Sequence, residues 1–165
     1  MSETKQKFNI ISLGCARNLV DSEVMAGLLH KNNFEMVREP ELADIVFVNT
    51  CGFIGAAKEE SIDTILNVAR LKEKGQIKKL VVAGCLSQRY PDELAAELPE
   101  VDLFIGTGEV PRIAEILREH EANTARRQFI GVPSYIYDHA TPRLRSTPSY
   151  TAFLKVSEGC DHKCA

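Results

Sequence analysis

The 165-residue chain lacks any apolar run approaching the ~20 residues that span a bilayer. Its opening stretch, Met1 to Lys7, passes straight into a strand-like segment without the apolar region of a signal peptide. A basic excess is missing too. Twenty Lys and Arg stand against 23 Asp and Glu, a formal net charge of -3, which argues against strong nucleic-acid binding, because phosphate contacts need clustered cations. Internal repeats and low-complexity tracts are absent. There are only five cysteines, an odd count that a pure disulfide scheme leaves unbalanced. With no export segment, the expectation is a cytoplasmic chain, away from membranes, whose cysteines bind metal or do chemistry. What remains, 44% hydrophobic and 26% charged residues, is ordinary for a globular chain with room for one domain and the start of another.

The hydrophobic pattern predicts an α/β fold, a doubly wound parallel sheet. Phe8 to Leu13 reads as a strand. A helix follows with Val24, Leu28 and Leu29 on one face, capped by Asn18 or Asp21 and stopped at Asn32-Asn33. Asp44 to Asn49 is the second strand. The next helix, roughly 56 to 74, carries Ile62, Ile65, Leu66 and Ala69 at helical spacing and stops at Gly75. Leu80 to Ala83 is apolar throughout, as in a strand buried on both faces. A short helix at 91–98, a strand at 101–105 and a helix begun by Pro111 complete the unit. Residues 1–121 are therefore expected to form one domain. Residues 122–149, with Pro133, Pro142, Pro148 and the basic pairs Arg126-Arg127 and Arg143/Arg145, read as a solvated linker with one short strand at 134–137. A fresh strand over 149–156 is expected to open a second domain, residues 150–165.

Three cysteines end strand-like runs, and each touches a glycine: Gly14-Cys15, Cys51-Gly52 and Gly84-Cys85. Ligands of open parallel sheets bind at the carboxyl ends of strands, so these thiols read as one ligand set rather than a local zinc knuckle. The alternative is three small buried hydrophobes, a common fate of free cysteine. Cys160-x-x-x-Cys164 is two thirds of a C-x3-C-x2-C loop, whose three thiolates would suit a 4Fe-4S cluster. Alone it reads equally as incidental thiols or half a zinc site.

Larger stretches resemble a known family. Ser12-Leu13-Gly14-Cys15-Ala16-Arg17-Asn18-Leu19-Val20-Asp21-Ser22-Glu23, Val48-Asn49-Thr50-Cys51-Gly52-Phe53-Ile54 and Gly84-Cys85-Leu86-Ser87-Gln88-Arg89 resemble the N-terminal domain of the methylthiotransferases. Leu154 to Cys164 is similar to the entry of that family's radical S-adenosylmethionine domain, so residues 150–165 would be the first strand of its barrel. Asn49 to Ile54, Pro99-Glu100-Val101-Asp102 and Gly106-Thr107-Gly108-Glu109 are similar to the RimO branch.

The resemblance implies two 4Fe-4S clusters and S-adenosylmethionine. Cys15, Cys51 and Cys85 would hold the auxiliary cluster. Cys160, Cys164 and a third cysteine two positions beyond Ala165 would hold the radical cluster, with His162 a solvent-facing spacer. The implied reaction adds a methylthio group to the β-carbon of an aspartate in small-subunit ribosomal protein twelve, with an electron donor protein as further partner. The 165 residues alone would not turn over. Two other functions stay open: a tRNA adenosine methylthiotransferase, and a non-catalytic α/β binding module with incidental cysteines.

Overall fold

The computed structural model of the chain describes residues 5–157; Cys160, His162 and Cys164 lie outside them. Six parallel strands form one sheet: β1 (Lys7–Ser12), β2 (Glu35–Met36), β3 (Ile45–Thr50), β4 (Lys79–Gly84), β5 (Leu103–Ile105) and β6 (Gln128–Phe129). Their spatial order is β2-β1-β3-β4-β5-β6. The helices are α1 (Ala16–Lys31), α2 (Gly55–Glu73), α3 (Cys85–Arg89), α4 (Pro91–Glu97) and α5 (Ile113–Ala122). This is the expected α/β architecture.

Alternate residues of the central strands feed two cores. Phe8, Phe47, Val81 and Ile105 pack with Met25 and Leu29 of α1 and Ile113 and Ile116 of α5. Val46, Val48, Leu80, Val82 and Phe104 pack with Ile65 and Val68 of α2 and Leu94 of α4. Both faces of the sheet are therefore covered, which is why β3 is buried at all six positions and reads as an apolar run from Ile45 to Val48. The chain leaves β1 toward one edge and returns to place β3 on its other side. The sheet thus changes direction between β1 and β3, and a crevice opens there at the carboxyl ends. Among the described residues, no helix is long and apolar enough to cross a membrane.

Several local expectations are corrected. α1 begins at Ala16 with Cys15 as its N-cap, so Asn18 and Asp21 lie inside the helix and do not cap it. Both are buried, with their polar ends held by tertiary partners instead. β2 and β6 are two-residue edge strands too short to leave a periodic signal.

The stretch after α5 is not a solvated linker throughout. The Arg127 guanidinium donates to the Val101 and Leu98 carbonyls at 2.7 and 2.9 Å, and Arg126 lies 4.1 Å from the centre of the Phe129 ring. The strands expected at 134–137 and 149–156 do not form. Tyr135 and Tyr137 do point the same way, as residues two apart in an extended segment should, with ring centres 5.1 Å apart. No described strand pairs with either stretch, and without a ladder the alternation makes no sheet.

His120, on α5, is buried and its Nδ1 has no partner. Burial, with Lys79 nearby, holds its pKa below 6.5. The unfolded chain therefore takes up a proton there that the folded chain resists, so this contribution to stability is lost as pH falls below 6.5. Melting temperatures measured from pH 7 to pH 5 should fall less steeply for His120→Leu than for the native chain.

Candidate functional site

The first three cysteines come from neighbouring strands. Cys15 follows β1 by a short turn, Cys51 follows β3 directly, and Cys85 is the first residue of α3 after β4. Because β1, β3 and β4 are adjacent in that order, the thiols share one edge of the sheet and straddle the switch point. Cys15 is exposed, Cys51 buried and Cys85 half-buried. A Cβ added to Gly14 would sit 2.5 Å from the Cys51 Cβ and 2.9 Å from its Sγ, so only glycine lets the β1 turn close over that thiol. The Cys85 thiol is pushed above its usual pKa, first by burial and then by the charge of Cys15 and Cys51, with Arg17 pulling the other way. A thiol held up by burial and by two neighbouring thiols, as Cys85 is, is one that a positively charged iron core would relieve. The structure therefore brings together Cys15, Cys51 and Cys85.

A polar lattice that the sequence reading left out holds these loops. Asn18 Nδ2 donates to the Thr50 and Leu13 carbonyls at 2.7 and 3.1 Å, tying the turn before Cys15 to the residue before Cys51. Asn49 Nδ2 donates to the Asn18 carbonyl and to Ser22 Oγ, each at 2.8 Å. Thr50 Oγ1 donates to the Ala83 carbonyl at 2.6 Å, bridging β3 to β4. Ser61 of α2 accepts from the Cys51 amide at 3.2 Å and donates to the Cys51 carbonyl at 3.0 Å. Asn18, Asn49, Thr50 and Ser61 are all buried, where each lost partner leaves another group unsatisfied at about 1–3 kcal/mol. The Asn49-Thr50 pair ending an apolar strand was a readable signal. Ser61, a single serine along a long amphipathic helix, offered none.

A cleft of about 200 Å³ opens over this edge, lined by Cys15 and Cys85 together with Arg17, Arg89, Asp21 and Lys155. Arg89 Nη1 donates to the Gly52 carbonyl at 3.1 Å, fixing the turn after Cys51. The edge thus combines thiol donors, cations facing them and a partly enclosed volume, which suits an anionic metal–sulfur group better than a duplex surface. Among the described residues, no three His, Cys, Asp or Glu side chains converge closely enough to share a single metal ion.

Comparison with known proteins adds two findings. Residues 7–106 match the family described as "Uncharacterized protein family UPF0004". The chain is also 51% identical, over 99% of its length, to the ribosomal protein uS12 methylthiotransferase RimO of Syntrophotalea carbinolica. It is 54% identical over 97% of its length to the protein of that name from Trichlorobacter lovleyi, and 53% identical over 99% to that of Bdellovibrio bacteriovorus. In each case the match covers 36% of the relative, so the chain spans about a third of the length of the curated relatives it matches.

Proposed function

Because the chain belongs to the family described as UPF0004, the N-terminal domain of the methylthiotransferases, we propose that it is the sulfur-handling part of a longer ribosomal-protein aspartate methylthiotransferase. The observation that carries this reading is the delivery of Cys15, Cys51 and Cys85 by three adjacent strands to one edge. These three would hold a 4Fe-4S cluster. A cluster is a body rather than a point, so its ligands stand around it and need not meet at the distance of a single ion. When bound, it supplies an iron open to a sulfur ligand.

The chain's own residues do the rest. Gly14 lets the turn before Cys15 approach Cys51, and Asn18, placed 3.5 Å from Cys85 Sγ, holds the loops in register. Arg17 and Arg89 set positive charge against the anionic thiolates. Cys160 and Cys164, outside the described residues, would serve a second 4Fe-4S cluster that works with S-adenosylmethionine. The names of the relatives support ribosomal protein uS12 as substrate; an aspartate as the acceptor, an electron donor protein as partner and a place in the cytoplasm complete the proposal. Those names favour uS12 over a tRNA substrate.

Anaerobic iron–sulfur reconstitution tests the site. The native chain should turn brown and take up about four irons at this site, and Cys51→Ala should lose most of that iron and its visible absorption. A folded native chain that stays colourless would overturn the cluster and leave an α/β binding module.

A further inference from the structure

The last tied point of the described chain is a lysine in an unusual place. Lys155 Nζ donates to Asp21 Oδ1 at 2.7 Å, and the two side chains are only 5% and 6% exposed. The same carboxylate oxygen accepts the Tyr137 hydroxyl at 2.7 Å, and that hydroxyl lies 2.9 Å from the hydroxyl of Tyr135. The Tyr137 ring stands 5.2 Å from the ammonium. Asp21 and Lys155 line the same cleft as Cys15 and Cys85. A buried ion pair is a poor device for stability, because well-packed apolar residues of similar size do as well. Its advantage is register: an ammonium that must reach one buried oxygen admits one placement of its backbone, whereas an apolar side chain tolerates slippage.

We propose that Asp21 and Lys155, locked under Tyr137, are positioning residues that pin the stretch leading into Cys160 against the edge carrying Cys15, Cys51 and Cys85, and so set the register of the second thiol set against the first. This rests on the reading of both cysteine sets as cluster ligands. Cys160 follows Lys155 by five positions in the sequence, a reach of at most about 18 Å.

The test uses the metal-free chain and dibromobimane, which bridges neighbouring thiols, with bridged peptides mapped by mass spectrometry. Bridges among Cys15, Cys51 and Cys85 report the sheet edge. Bridges from Cys160 or Cys164 to that set report the clamp. In the near-isosteric neutral pair D21N/K155M, bridging within the first set should be unchanged. Bridging between the sets should fall about fivefold, because the free tether lengthens from five residues to fourteen, counted from Ser146, and effective concentration drops as the −3/2 power of length. The bond from Arg143 Nη1 to the Phe153 carbonyl is exposed, and those of Thr147 and Thr151 run within the tether itself. Lys155→Arg should keep the native yield.

Native-level bridging between the sets in D21N/K155M, or none in the native chain, overturns the clamp. Loss of bridging within the first set in the native chain would instead sink the three-thiol site and leave the clamp to be judged on its own bridges. Should the double variant fail to fold, Lys155→Gln keeps a folded sheet and must show the same fall, or the clamp is overturned.

Discussion

Gly84→Ala is expected to destabilise the chain by roughly 3–5 kcal/mol and to lower its melting temperature by about 10 °C or more. Gly84 ends β4 with φ 98° and ψ −158°, a region open essentially to glycine alone. Strain is only half of the effect. A Cβ there would meet the side-chain oxygen of Asn49 and lie 2.6 Å from the Thr50 carbonyl oxygen and 2.9 Å from the Thr50 nitrogen. Thr50 is the register partner of Gly84 on β3, so the obstruction is mostly backbone and cannot rotate away. Relief must come from moving β4 or the turn into α3, and either motion shifts Cys85 and disturbs the Asn49 bonds to α1. The substitution should therefore lose both stability and most of the iron taken up on reconstitution, although it touches no thiol. Gly55→Ala, at the start of α2 with nothing within 4 Å of the added methyl, is the control: it should leave melting temperature and iron content near native values. Equal effects at both positions would mean that the carboxyl edge is plastic and that Gly84 has no special place in it.

The legible part of this molecule was the part governed by period and by punctuation. Ile45 to Val48 and Leu80 to Ala83 announced buried strands because a sheet covered on both faces favours apolar residues on both sides of the strand. The cysteine edge followed from the glycine beside each thiol and from strand ends that a parallel sheet must align. The failures share a cause. Arg127 and Arg143 read as solvated charges and Lys155 as one residue of a strand, since nothing local says that Leu98, Glu23 and Asp21 wait for them. Partners of that kind, separated by 29, 120 and 134 residues, leave no mark on spacing or composition. Tyr135 and Tyr137 kept a strand's alternation but had no strand to pair with. Asn18 and Asp21, polar residues near a helix start, suggested caps, whereas the helix began earlier and used them to hold other loops. Long-range polar pairing is thus where this fold outran its own pattern, and it is concentrated on α1 around the site.

Glu23 gives the second large effect. Its side chain is 1% exposed, five residues beyond Asn18 on α1, and its carboxylate is fully engaged. Oε1 accepts the Ser146 amide at 2.6 Å and the Ser146 hydroxyl at 2.9 Å, and Oε2 accepts Arg143 Nε at 2.7 Å. Leu144 closes the contact by donating its amide to the Glu23 carbonyl at 2.9 Å. Glu23→Gln keeps the shape and leaves a partly buried guanidinium without its counter-charge, at an expected cost of roughly 3 kcal/mol. For a chain of this size, that is a fall of about 6–12 °C in melting temperature. The double variant E23L/R143M removes both charges and should recover most of the loss, since an apolar pair of similar volume replaces a buried ion pair at little cost. The same group fixes an acid limit. Burial alone would raise the Glu23 pKa, but the Ser146 amide, the Arg143 guanidinium and the Ser146 hydroxyl outweigh it and hold it below 4.5. A carboxyl depressed in this way contributes stability that is complete above its unfolded pKa and is lost as pH falls through the lower folded value. Melting curves of the native chain should therefore steepen in their pH dependence below pH 4.5, and Glu23→Gln should flatten that part of the profile. If hydrogen exchange then shows residues 138–157 opening in Glu23→Gln while β3 and β4 stay protected, this ion pair holds the returning segment onto α1 without supporting the sheet. Loss of protection across β3 and β4 as well would make it part of the core.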